Sequence, residues 1–79
     1  MEKSQHTSAY KKLTAALRKA REAAELTQAE VAEKLGLYAS FVSKVEAGER
    51  RLDVIELKQF CKVYGVELVA FPRSAGLVE

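Results

Sequence analysis

Cysteine, proline, glycine and histidine are all scarce in this chain of 79 residues, which has one Cys, one Pro, four Gly, one His and no Trp. The single Cys61 cannot close an internal disulfide, so nothing suggests an oxidising compartment. One proline and four glycines are too few for the turn-rich pattern of a small sandwich or barrel. No apolar run approaches the ~18 residues of a membrane span, and the first residues do not lead into a signal-peptide core. His6 has no Cys or carboxylate at metal spacing, and no Ser-His-Asp set or phosphate loop occurs, so neither an enzyme nor a metal or other cofactor is expected. What remains is 48% hydrophobic and 30% charged, the balance of a globular, cytoplasmic domain. At this length one domain with a thin core is expected, with no room for a separate ligand-binding module.

The net charge of +2 is small, but it is unevenly spread. Residues 1–21 carry six Lys/Arg against Glu2 alone, residues 22–33 carry four glutamates and no base, and residues 34–51 carry four bases against two acids. Two basic segments flanking an acidic one suit a protein that turns one face to a polyanion, although most charge runs are solvated helix faces. Charge alone does not decide between them.

Periodicity is more informative. Residues 1–7 are polar and aperiodic and read as a tail. Tyr10, Leu13, Leu17, Ala20 and Ala24 then share one stripe of a first helix over about 9–24. Thr27 with Glu30 forms a capping box, Leu26 and Val31 can close as a hydrophobic staple, and Gly36 stops a second helix over 28–35. Phe41, Val42 and Val45 define a third helix over 39–47, ending before Gly48. Asp53 with Glu56 is a second capping pattern, and Ile55, Leu57, Phe60, Cys61 and Tyr64 form the apolar face of a fourth helix up to Gly65. Residues 66–71 are compatible with a fifth short helix or with an extended segment pairing with another copy. Pro72 ends that stretch, and 72–79 read as a second tail, which leaves 8–71 as the domain.

The second and third helices meet the spacing of a helix-turn-helix. Counting from Gln28, the fifth position is Ala32, where two helices cross closely, and the ninth is Gly36, where the turn needs a permissive backbone. Val31, Leu35, Leu37, Val42 and Val45 take the apolar positions that bury the pair.

With these residues in place, the segments Thr27-Gln28-Ala29-Glu30-Val31-Ala32, Gly36-Leu37 and Val42-Ser43-Lys44-Val45-Glu46-Ala47-Gly48-Glu49-Arg50 resemble the lambda-repressor and Cro type of helix-turn-helix, the XRE family. The resemblance covers about residues 13–66. It implies an all-α, compact bundle of four to five helices whose third helix enters the DNA major groove, in proteins that usually bind two half-sites as dimers. It implies that Gln28, with Thr27 at the same helix start, holds a phosphate, and that Arg50 and Arg51 grip phosphate from the following loop. Tyr38, Ala39, Ser40, Ser43 and Lys44 match the groove-facing positions, while Arg21 and Glu46 match an ion pair that joins the first helix to the end of the third.

Two positions depart from the family pattern. Tyr38 stands where Ser or Thr is frequent, and Ala39 where Gln or Asn is frequent. Ala39 cannot form a bidentate bond to adenine; it can only pack on a thymine methyl, whereas Lys44 can donate to guanine. The scaffold is familiar and the base-reading surface is not. Two functions follow as expectations. One is a sequence-specific regulator of the repressor, controller or antitoxin type, binding double-stranded DNA as a homodimer. The other is a module that uses the same fold to bind a partner protein such as a toxin. A homodimer would close through Val66, Leu68, Val69 and Phe71. Phe41 and Cys61 are expected to be structural.

Overall fold

Each helix start and stop has a local cause. The structure, a computed structural model, describes residues 8–67. It contains α1 (Ser8–Ala23), α2 (Gln28–Leu35), α3 (Ala39–Glu46) and α4 (Val54–Tyr64), and no strand among the described residues. The Thr27 hydroxyl accepts from the Glu30 amide at 3.1 Å, and the Glu30 carboxylate accepts from the Thr27 amide at 2.8 Å. Asp53 and Glu56 repeat this reciprocal pairing at 2.7 and 3.0 Å. Both boxes satisfy amides that a helix start otherwise leaves to water. Gly36 (φ 70°) and Gly65 (φ 75°) end α2 and α4 in the left-handed conformation, where a side chain would be strained.

The core is a single cluster of Leu17, Val31, Ala32, Val42, Val45, Phe60, Cys61 and Tyr64, drawn from all four helices. Val31, Val42 and Val45 have no exposed surface, which fixes the face that α2 and α3 turn inward and so the face they turn outward. Phe60 stacks on Phe41 at 6.4 Å and meets the edge of Tyr64 at 6.1 Å, so Phe41 is part of the packing between α3 and α4.

Several expectations are corrected in detail. Ile55 does not belong to the buried face of α4: it and Val54 are each 69% exposed, while Leu57, Phe60, Cys61 and Tyr64 of the same helix face the core. Leu37, expected to be buried, is 36% exposed. Ala47 caps α3 rather than extending it. Thr14 is buried on α1 although it is polar; its hydroxyl donates to the Lys11 carbonyl at 3.1 Å, which satisfies it within its own helix. Val66 leaves the helix and packs, half-buried, against the core of its own chain. Leu68, Val69 and Phe71, His6 and both tails lie outside the described residues.

Candidate nucleic-acid interface

The outward surface of α3 follows from what α3 buries. With Val42 and Val45 fully inside, Tyr38, Ala39, Ser40, Ser43 and Lys44 are all exposed, Tyr38 at 85%. Tyr38 occupies the N-cap with extended backbone and makes no side-chain cap bond. The start of α3 therefore differs from the boxed starts of α2 and α4: its first amides have no side-chain cap. Two hydroxyls, an ammonium, a phenol and a methyl side chain share this exposed strip, groups of the kind that meet base edges and phosphates.

Arg21 and Glu46 form the expected ion pair in a bidentate geometry. Arg21 Nε donates to Glu46 Oε2 at 2.7 Å and Nη2 donates to Oε1 at 3.1 Å. Only 12% of the Arg21 side chain and 6% of the Glu46 side chain remain exposed. Arg21 Nη1 also donates to the Leu26 carbonyl at 2.9 Å, tying the turn after α1 to the end of α3. The hydrogen bond to Glu46 raises the Arg21 pKa further above its already high value, so the guanidinium stays charged. This pair fastens the end of α3 to α1 and to the turn that follows it.

Gln28 joins the same cluster. Its Nε2 donates to Glu46 Oε1 at 3.0 Å, a contact not anticipated from the sequence. The second Nε2 hydrogen remains for an acceptor outside the cluster. Tyr64 lies close enough that the Glu46 charge acts on it; burial first, then that charge, pushes its phenol well above the usual range. Its hydroxyl has no hydrogen-bond partner among the described residues.

The two loop arginines have different surroundings. Arg50 Nη2 donates to Glu56 Oε2 at 3.1 Å, and its guanidinium carbon lies 4.6 Å from the Phe41 ring centre. Arg51 is exposed, lies 5.4 Å from the Tyr10 ring centre, and has no carboxylate partner among the described residues. The Tyr10 hydroxyl donates to the Arg50 carbonyl at 2.6 Å, joining the start of α1 to the loop. Sequence reading placed Tyr10 in the apolar stripe and missed this bond, because a tyrosine hydroxyl reveals its acceptor only when the fold brings one close.

An open groove of about 520 Å³ lies between α2 and α4, lined by Lys34, Leu35, Gln59, Lys62 and Val63. It has neither the enclosure nor the convergent polar groups of a small-molecule site. No cluster of three or more His, Cys, Asp or Glu able to hold a metal occurs among the described residues, and no helix there is long and apolar enough to cross a membrane.

Comparison with known proteins agrees with this geometry. A family model described as helix-turn-helix matches residues 17–71, which takes in all of α2, α3 and α4. The chain belongs to the XRE-type helix-turn-helix family. Among solved structures it is similar to an XRE-family like protein from Pseudomonas syringae pv. tomato str. DC3000, with 45% sequence identity and a TM-score of 0.83. That likeness covers 90% of this chain and 87% of the other. No curated protein sequence matches the chain. As a member of this family the XRE domain is a DNA-binding regulator of transcription, with the all-α fold the sequence pattern implies.

Proposed function

We propose that the XRE domain is a sequence-specific repressor-type regulator in the cytoplasm, reading double-stranded DNA as a homodimer with α3 in the major groove. One observation carries this reading: Tyr38, Ala39, Ser40, Ser43 and Lys44 are all exposed on one element whose opposite side is fully buried. The exposed α3 strip supplies base contacts, with Lys44 to guanine and Ala39 or Tyr38 against thymine methyl groups. Arg51 and Arg50 in the loop after α3, and Gln28 and Thr27 at the start of α2, supply phosphate contacts that set the register. Gln28 meets phosphate through its second amide hydrogen while Glu46 holds the first. A single module of this kind buries only ~600–1,000 Å², too little for specific binding at cellular salt, and a second copy makes up the deficit.

The test is selection from a random duplex library followed by titration at several salt concentrations. The expected result is enrichment of a two-fold symmetric site with half-sites about 10 base pairs apart, and affinity that falls steeply with salt. A second reading, the protein-interaction module, is favoured by Val54 and Ile55, two exposed apolar side chains that DNA does not require. In that case duplex binding is weak and library selection returns no consensus.

A further inference from the structure

We propose that Tyr10 is a positioning residue for DNA binding, its phenol holding the backbone at Arg50 so that the Arg51 guanidinium is presented to a phosphate. The inference rests on the reading that Arg51 contacts phosphate. Two observations converge on this one side chain. Its hydroxyl donates to the Arg50 carbonyl at 2.6 Å, across 40 residues of sequence. The guanidinium carbon of Arg51, the next residue along, lies 5.4 Å from the Tyr10 ring centre.

The ring itself is anchored, with Tyr10 only 7% exposed, whereas Arg51 is exposed to solvent. Filling this place in the fold needs only an apolar side chain; the hydroxyl serves the loop. An arginine on a slack loop loses rotamer and backbone freedom when it grips a phosphate. Here that freedom is already restricted before DNA arrives, the backbone by the phenol oxygen and the side chain by the ring face. The Tyr10 ring does not hold the Arg50 side chain in this way, because the Arg50 guanidinium meets Glu56 and Phe41 instead.

The test is a double-mutant cycle on the full chain, with a mixed-sequence duplex of about two helical turns as probe, titrated between ~50 and ~200 mM salt. Arg51→Ala is expected to weaken binding and to take about one from the salt slope. Tyr10→Phe, which keeps the ring and loses the hydroxyl, is expected to weaken binding roughly 2- to 10-fold in the parent. In the Arg51→Ala background it is expected to have no further effect. A tyrosine with a merely structural role would weaken both backgrounds by the same factor, and that result overturns the proposal, as does parent affinity in Tyr10→Phe. An unchanged slope in Arg51→Ala instead removes the phosphate reading beneath it. Arg51→Lys, at an exposed position that leaves the fold intact, keeps the charge and loses the flat face. It is expected to bind more weakly at an unchanged slope, and full parent affinity there also overturns the proposal.

Discussion

Glu25 sits between α1 and α2 with φ 59°, the left-handed region that costs an L-residue with a side chain about 1 kcal/mol or more. Its amide still closes the end of α1 by donating to the Glu22 carbonyl at 3.0 Å, so the turn is kept despite the strain. The side chain is exposed, and replacing it with glycine removes the strain without opening a cavity. Glu25→Gly is therefore expected to stabilise the domain by roughly 1 kcal/mol in urea denaturation. A lower midpoint than the parent would show that the glutamate earns its place in some other way. Glu46 is the opposite case. It accepts from Arg21 twice and from Gln28 once while almost fully buried. Glu46→Ala leaves the Arg21 guanidinium without its counter-charge, and the expected loss is ~3 kcal/mol. A thermal melt that overlays the parent would contradict that role.

At the scale of the element, the helix starts set a measurable pH dependence. The Thr27 amide, with the Thr27 side chain, holds the exposed Glu30 carboxyl below its ordinary value. A carboxylate whose folded pKa is depressed contributes stability that is complete above the unfolded value, ~4.3, and is lost as pH falls through the lower folded value. Glu30→Gln can still close the capping box but does not titrate. The expected outcome is that the parent melts above Glu30→Gln near neutral pH and that the gap narrows as pH falls below ~4. A gap that stays constant with pH would place the effect elsewhere. The start of α3 has no such box, since Tyr38 makes no side-chain cap bond. The helix proposed to read DNA is therefore the one among α2, α3 and α4 whose first turn lacks a side-chain cap.

For the whole molecule the open matter is assembly. The proposed seam consists of Val66, Leu68, Val69 and Phe71, of which Val66 is half-buried against its own core. Val69→Asp and Phe71→Asp are expected to yield monomers in light scattering and to lose cooperative binding to the symmetric site, while the fold persists. Either variant remaining dimeric, or a parent that is monomeric at micromolar concentration, would remove the seam. Arg51→Ala is expected to be the complementary case, dimeric but uniformly weaker on every duplex, with a salt slope smaller by about one.

The sequence alone settled those features that depend on neighbours a few residues apart. Thr27 with Glu30, Asp53 with Glu56, and the stops at Gly36 and Gly65 are local hydrogen-bond patterns and backbone preferences, so helix limits could be read to within a residue or so. The outward strip of α3 came from the family resemblance, and the burial of Val42 and Val45 sets the phase that leaves it exposed. The Arg21–Glu46 pair was visible only through the family resemblance, because 25 residues separate its partners. Tertiary structure decided the rest. Ile55 fits the apolar pattern of α4, yet Leu57, in the same turn, is the side chain that meets the core, and Ile55 stays in water. Gln28 met Glu46, Arg50 met Glu56 and Phe41, and the Tyr10 hydroxyl met the Arg50 carbonyl. A long polar side chain has several partners within its reach, and only the packing of helices fixes which one stands there.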